Sequence, residues 1–409
     1  MTAEVRLVRE ADLAAWFETV DVAFGGLRES AERAAWWRSV VEPERALAAW
    51  DGGGIVGTAG SFSFGLTVPG GAEVPAAGVT LVGVLPTHRR RGVLTQLMRR
   101  QLDGVRERGE PLALLTASEP AIYGRFGYGP ATWELRMAVD TVRLAAPEPP
   151  GADGVRLRLA DPVAALPECE RVYAALVPGR PGMLARRPGR DRQGVLDPEG
   201  ERDGAGPLQC VLAEVDGEVR GYARYAVKPG WDDAGPCGTV QLRQLDALDP
   251  VVHAALWRYL FGIDLTSSVV ARGRPVDDPL PHLVADQRRC GLGLREGLFV
   301  RPVEVGAALA ARTYRTPVDV VLEVADAFCP WNAGRWRLSG DARGARCERT
   351  TDAAELALSV RELGSAYLGG CTLTALAGAG RVRELRPGAL AAASLAFGSE
   401  VAPWLPHGF

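Results

Sequence analysis

VTLVGVLPTHRRRGVLTQLMRRQLDGVRERGEPLALLTASEPAIYGRFGY, residues Val79 to Tyr128, decides the fold. It opens on a short apolar run rich in β-branched side chains (Val79, Leu81, Val82, Val84, Leu85), which predicts a strand closed by Pro86. Thr87 to Gly92 is a tight basic loop carrying His88, Arg89, Arg90 and Arg91. After Gly92 the period changes. Val93, Leu94, Leu97, Met98, Leu102 and Val105 share one helical face, with Arg99, Arg100, Asp103 and Arg106 off it. Gly109 marks the helix stop, and Pro111 to Ala117 predicts the next buried strand.

A basic turn between a strand and a helix N-terminus suits an anion. The first backbone N–H groups of the helix lack intrahelical partners, and the helix dipole adds positive charge there. Gly92 has no Cβ to hold a ligand off, and the arginines supply charge-assisted hydrogen bonds to phosphate oxygens. The loop lacks the glycine spacing and lysine of a P-loop, and it lacks G-x-G-x-x-G. It therefore fits a pyrophosphate without selecting ATP or NAD. Taken alone, the loop is equally well a solvated arginine run capping an ordinary helix.

Arg89-x-x-Gly92 after a strand resembles the acetyl-CoA signature, Q/R-x-x-G-x-G/A, of the GNAT-fold N-acetyltransferases. The longer strings PTHRRRGVL and TASEPAIYGRFGYGPAT resemble the Eis-type (enhanced intracellular survival) aminoglycoside N-acetyltransferases. Leu94 departs from the general signature but matches the aliphatic residue of the Eis-type one. DPLPHLVADQR (Asp278 to Arg288), TDAAELALSVRELGSAYLGG (Thr351 to Gly370), the chain length and the final Phe409 extend the resemblance over essentially the whole chain. It implies an α/β (α+β) fold with tandem GNAT-like domains followed by a sterol-carrier-protein-like α/β domain. The implied boundaries are 1–148 for the catalytic domain, 149–297 for a degenerate GNAT-like domain, and 298–409 for a last domain that ends in the active site.

Composition agrees with this organisation. A chain of 409 residues is too long for one ordinary core. Its 47% apolar and 24% charged residues are those of a globular protein, and a net charge of −3 argues against a nucleic-acid binder with a broad basic face. Seven dispersed cysteines without a C-x-x-C pair read as buried thiols in a reducing compartment, and the four histidines show no metal-ligand spacing. No metal is expected. The N-terminus has no apolar signal core and no run approaches a membrane span, so the expected location is the cytoplasm, with unconventional export left open.

In chain order, Glu4 to Arg9 alternates as a strand, Asp12 to Phe24 and Ala31 to Val41 are helical, and Leu47 to Leu85 holds three strands. Trp36 and Trp37 point about 100° apart on their helix. Either one packs inward while the other is free to wall a substrate cleft, or both are core or interface; both, with Phe24, are candidate substrate-binding residues. Leu144 to Gly154 is Pro- and Gly-rich and reads as a domain boundary. Pro178 to Pro207 reads as an irregular loop with one short helix. Strands from Val211, Tyr222 and Thr239 precede a helix over Pro250 to Phe261, whose entry at Asp246 to Pro250 has neither arginines nor R-x-x-G. Leu298 to Val303 opens the last region, which is α+β by pattern. The apolar tail AFGSEVAPWLPHGF is expected to pack into something.

Acetyl transfer to an amine needs a held and polarised thioester carbonyl, a base for the amine and an acid for the leaving thiolate. The resemblance places backbone groups of Val82, Gly83 and Val84 where a GNAT strand splays to pair with pantetheine. Gly83 in a β-branched strand fits a bulge or a close ligand approach. Arg89, Arg90, Arg91, Gly92, Val93, Leu94 and Thr95 form the pyrophosphate cradle, and Ser118 and Glu119 lie beside the thioester or simply start a polar loop. A phenol can give a proton to a thiolate at neutral pH, but chemistry alone does not separate Tyr123 from Tyr128. The resemblance puts the general acid at Tyr123. No histidine is well placed as the base. The resemblance implies the terminal carboxylate of Phe409, whose burial would raise its pKa.

The co-substrate implied is acetyl-CoA. The acceptor implied is an aminoglycoside or similar polycationic amine, which makes the reaction one of antibiotic resistance, in a homohexamer. Gly408 stands where the family carries an acidic residue and implies a different substrate range. Two other readings remain open here: a lysine ε-amine of a protein or peptide as acceptor, and a lipid-binding protein in which acetyl-CoA is regulatory.

Overall fold

The computed structural model describes residues 3–26, 29–144 and 150–409. The first segment runs β1 (Glu4–Leu7), α1 (Leu13–Ala23), α2 (Ala31–Val40), β2 (Leu47–Asp51), β3 (Gly54–Thr67), β4 (Glu73–Val84), α3 (Val93–Glu107), β5 (Leu112–Thr116), α4 (Pro120–Tyr123) and β6 (Gly129–Pro130). The second runs β7 (Trp133–Asp140), β8 (Arg156–Ala160), α5 (Leu166–Leu176), β9 (Gln209–Val215), β10 (Glu218–Lys228), the small pair β11 (Trp231–Asp232) and β12 (Gly235–Pro236), β13 (Gly238–Ala247), α6 (Pro250–Phe261), β14 (Thr266–Pro275), α7 (Leu280–Leu283) and β15 (Gly293–Glu296). The third runs β16 (Leu298–Pro302), α8 (Val305–Ala310), β17 (Val318–Ala325), β18 (Gly334–Asp341), β19 (Gly344–Arg349), β20 (Leu356–Ser359), α9 (Val360–Ala366), α10 (Leu373–Gly378), β21 (Val382–Glu384) and α11 (Ala389–Phe397).

Two seven-stranded sheets and one five-stranded sheet result, in the orders β1-β2-β3-β4-β5-β16-β6, β15-β7-β14-β13-β10-β9-β8 and β19-β18-β17-β20-β21. The expectation of tandem GNAT-like domains and a sterol-carrier-like domain therefore holds. The helix read from the 3.6 period, α3, buries Val93, Leu97, Met98, Leu102 and Val105 against the first sheet. Residues 178–207 hold only short 3-10 turns where one short helix was expected.

The sheets do not follow the chain segments. The expected boundary at 148/149 lies outside the described residues. The expectation that residues 298–303 open the last domain is corrected: β16 pairs antiparallel with β5 and β6 and completes the first sheet. Conversely, β7 lies in the second sheet, paired with β14 and β15. A strand buried along its whole length, as β16 is, carries no polar alternation to say which sheet it joins.

The second sheet repeats the crossover of the first, since β13 and β14 are parallel and joined by α6. Its helix entry is built differently. Asp249 occupies the N-cap position of α6, paired with Arg220 at 2.8 and 3.1 Å. A carboxylate thus stands where the first domain presents arginines.

The third domain closes the first sheet from behind. One core joins Phe62, Phe64, Leu114 and Val300 of the first sheet to Leu322, Leu363, Tyr367 and Phe397 of the third domain. Arg301 on β16 ties the same seam. Fully buried, it donates to Phe126 O at 2.8 Å and to Asp326 Oδ2 at 2.8 Å; Asp326 also accepts from Cys329 N and Asn332 Nδ2. Asp326→Ala would leave Arg301 charged and unpaired in the core, a loss of about 3–5 kcal/mol for a broken buried pair. Guanidinium denaturation followed by circular dichroism is expected to show an earlier first transition. An unshifted curve contradicts this.

Candidate functional site

The site begins where two strands part. β4 and β5 are parallel and pair only at Ala76–Leu112, Ala77–Ala113 and Gly78–Leu114. Beyond Gly78, β4 stays with β3, while Leu115 and Thr116 of β5 pair with Phe299 and Leu298 of β16. The facing edges lose their ladder and leave backbone N–H and C=O groups for a ligand. A β-bulge on β4 accompanies the parting: the register with β3 slips between Gly60↔Thr80 and Thr58↔Gly83, and Leu81 sits at a left-handed φ of 53°. Thr58 Oγ1 holds this residue by donating to Leu81 O at 2.8 Å. The bulge expected at Gly83 lies instead just before it, at Leu81 and Val82, while Gly83 itself lines the cleft. Gly83 pairs regularly with Thr58, and a Cβ there would come 2.7 Å from that of Ala23 on α1.

The basic loop follows. Arg90 (φ 61°) and Gly92 (φ 82°) are both left-handed, so the backbone doubles back just before α3. Such successive turns make a concave run of N–H groups suited to an anion. Arg89 braces the loop by donating to Val84 O at 3.3 Å and Ala23 O at 3.1 Å. His88 is held between Thr87 and Asp51, at 2.8 and 3.1 Å, a structural placement. Loop and parted strands open into one cleft of about 1100 Å³.

Tyr123 ends α4 and Tyr128 follows the 3-10 turn Gly124–Phe126, just before β6, with ring centroids 6.1 Å apart. Their surroundings separate them. Tyr128 is fully buried, its hydroxyl has no partner among the described residues, and burial raises its pKa far above the usual phenol range. Tyr123 lines the cleft. Burial, and then the charge of Glu119, raise its pKa too, so it keeps its proton at neutral pH.

The end of the chain enters this cleft. The tail is threaded along the second domain: Arg180 donates to Ala402 O at 2.8 Å, Ala402 N donates to Asp277, and Trp404 Nε1 donates to Gly273 O at 2.8 Å. His407 follows. Tyr173 Oη lies 3.1 Å and Arg186 Nε 3.4 Å from its Nε2, and its Nδ1 lies 3.2 Å from Gly408 O. With its proton on Nδ1 the neutral ring donates to Gly408 O and accepts from Arg186 at Nε2, while the single proton of the Tyr173 hydroxyl goes to Leu184 O at 2.8 Å. Phe409 then turns into the first domain. Its ring packs 5.0 Å from that of Phe64, over Gly78, where a Cβ would come within 3.0 Å of it. One terminal oxygen accepts from Thr80 Oγ1 at 3.0 Å.

The cleft thus brings together Val82, Gly83, Val84, Arg89, Arg90, Gly92, Val93, Leu94, Thr95, Ser118, Glu119, Tyr123, Phe24, Trp37 and Phe409. Arg91 is exposed and outside the cleft wall. Trp36 is outside it as well: it is buried and donates to Gly189 O at 2.9 Å, so of the tryptophan pair only Trp37 faces the cleft. Among the wall residues that escaped the sequence reading are Thr80, Asp21, Glu29 and Arg125. Thr80 was detectable as the one polar side chain in the apolar run from Val74 to Val84. Asp21 and Glu29 were not, since acids in polar stretches are ordinary. Glu29 accepts from Trp37 Nε1 at 3.1 Å, and burial raises its pKa.

Comparison with known proteins divides the chain into three matched parts. Residues 4–131 and 182–302 match acetyltransferase (GNAT) domains, and 305–406 match a sterol carrier protein domain. An uncharacterized N-acetyltransferase of Streptomyces avermitilis is 63% identical over the full length of both chains. The N-acetyltransferase Eis of Mycobacterium tuberculosis is 36% identical over 90% of each chain. The crystal structure of Eis1 from Mycobacterium abscessus superposes with a TM-score of 0.84 at 35% identity, covering both chains completely.

The seat of His407 makes the tail acid-sensitive. Burial, and then the charge of Arg186, push its pKa down to about 3, against about 6.5 for a free histidine. Between these values the unfolded chain binds a proton that the folded chain does not. The stability due to this group is therefore present above the free value and lost as pH falls toward the folded one. Melting temperatures measured across this acid range should fall more steeply for the native chain than for His407→Gln. Equal slopes contradict the assignment.

Proposed function

This chain belongs to the Eis-type family of GNAT N-acetyltransferases, and from that premise we propose that it acetylates amino groups of polycationic small molecules such as aminoglycosides, with Tyr123 as general acid and the terminal carboxylate of Phe409 as general base. The acetyl-transferring activity and the use of acetyl-CoA come with the family. The acceptor and the residue roles are the proposal.

One observation carries it: the last residue of the chain and the partly buried phenol of Tyr123 line the same cleft, and a terminal oxygen of Phe409 is fixed by Thr80. Acetyl-CoA supplies the activated acetyl group. Backbone groups left free beyond Gly78 on β4 are suited to orient its pantetheine arm. The loop Arg89–Thr95 is suited to its pyrophosphate, with Arg90 and Gly92 shaping the concavity. The carboxylate of Phe409 accepts a proton from the attacking ammonium side, and Tyr123 yields one to the departing sulfur. Asp21, Glu29 and the terminal carboxylate give the cleft the charge that a polyamine needs, and Phe24 and Trp37 give it apolar walls. A small polycation uses several such carboxylates at once, which favours it over a single lysine side chain. The same proposal includes a homohexamer in the cytoplasm.

Thiol release from acetyl-CoA, with kanamycin or tobramycin as acceptor, tests it. Tyr123→Phe, deletion of Phe409 and extension of the chain beyond Phe409 are each expected to lower kcat by about 10²–10⁴, the usual range for a lost acid or base, while acetyl-CoA still binds. Full activity in the deleted and extended forms removes Phe409 from the chemistry. Absence of thiol release with any amine removes the function.

A further inference from the structure

The last residue sits in the first domain as a ligand sits in a pocket: Phe409 is only 9% exposed. The register of β4 with β3 runs unbroken from Glu73 to Thr80, so its side chains alternate between the two faces of the sheet. Val79 packs on one face, in the core with Met98 and Leu102 of α3. Gly78 and Thr80 share the other face, and Phe409 meets both.

The two positions recognise different parts of one group. At Gly78 a Cβ would overlap the Phe64 ring and come 3.0 Å from the Phe409 ring, so the missing side chain makes room for both. Phe64 is the side wall, with centroids 5.0 Å apart and planes tilted by 58°. Two residues on, Thr80 Oγ1 donates to one terminal oxygen at 3.0 Å, which leaves the other oxygen of the carboxylate to accept a proton. An aromatic wall, a floor without a side chain and one placed donor are the parts of a small-molecule pocket. The tail is held upstream without Phe409: Trp404 N donates to Pro181 O at 2.8 Å, Trp404 Nε1 to Gly273 O at 2.8 Å and Ala402 N to Asp277 at 3.1 Å. Loss of the last residue therefore leaves the tail threaded and the seat open to the cleft, of which Phe409 is a wall. Vacated apolar space of this kind takes up aromatic molecules from water.

We propose that Gly78, Thr80 and Phe64 form a binding site for a phenylalkyl carboxylate, filled in cis by the last residue of the chain and open to a free acid of the same shape when that residue is missing. Recognition lies in the ring and the charge together, and the covalent link only raises the local concentration of the ligand. Binding is read without acetyl transfer; only the turnover arm of the test rests on the reaction proposed above.

Chains lacking Phe409, or both Gly408 and Phe409, test it with 3-phenylpropanoate, which keeps the ring, the two carbons and the carboxylate of the lost residue. Acetate, a carboxylate without the ring, and 3-phenylpropanol, the ring without a carboxylate, are the controls. Line broadening of the ligand's ring protons in NMR reads binding. The acid is expected to bind both shortened chains at about 1–10 mM, about threefold or more tighter than the alcohol, and to leave the native chain, whose seat is filled, largely alone. In the Phe409-deleted chain Thr80→Val should abolish the preference for the acid and Thr80→Ser should keep it. There, too, the acid should raise kcat about tenfold over the level reached with acetate, recovering part of the loss from a missing base. Binding without a rise in kcat upholds the site and places the failure in the proposed reaction. No binding to either shortened chain, equal binding by the native chain, or an unchanged preference for the acid in Thr80→Val overturns the proposal.

Discussion

Strand β4 loses its parallel partner after Gly78, and the rest of the site depends on that parting. A parallel pair continued to Val84 would satisfy every backbone group and leave no cleft. The bulge at Leu81 commits β4 to β3, while β16 draws β5 away on the other side. A left-handed Leu costs about 1–2 kcal/mol, and the Thr58 hydrogen bond to its carbonyl offsets part of that. The opening leads to the loop at Arg90–Gly92 at one end and to the seat of Phe409 at the other.

That seat makes the first domain dependent on the whole chain. β16 completes the first sheet, Arg301 binds the carbonyl of Phe126 beside the tyrosine turn, and the tail crosses the second domain before Phe409 reaches Gly78 and Thr80. The second domain holds the tail through Trp404 and His407. The third domain supplies the core behind Phe64, on which the Phe409 ring rests. Neither serves as a detached module.

Local chemistry was legible in the sequence, and long-range pairing was not. The arginine loop, the amphipathic α3 and the helix over Pro250–Phe261 are written in neighbouring residues, and they stand where the sequence put them. The role of Phe409 came only from family resemblance; an apolar tail says that it packs, not where. Trp36 and Trp37 could be told apart only once the partners of each were known. The exchange of β7 and β16 between sheets left no trace, because a buried strand carries no address. Arg190 lay in a stretch read as an irregular surface loop, yet its turns fold it against Phe62 in the interior.

In the proposed reaction the end of the chain, as a carboxylate, takes part in the chemistry rather than merely filling space. A semisynthetic protein whose Phe409 ends in a carboxamide tests it most directly. The ring, the Gly78 seat and an oxygen for Thr80 all remain, and only the charge and basicity go. Acetyl-CoA binding and melting temperature are expected to stay as in the native protein, with kcat reduced by about 10²–10⁴. An amidated protein that turns over as fast as the native one removes the terminal carboxylate from the chemistry.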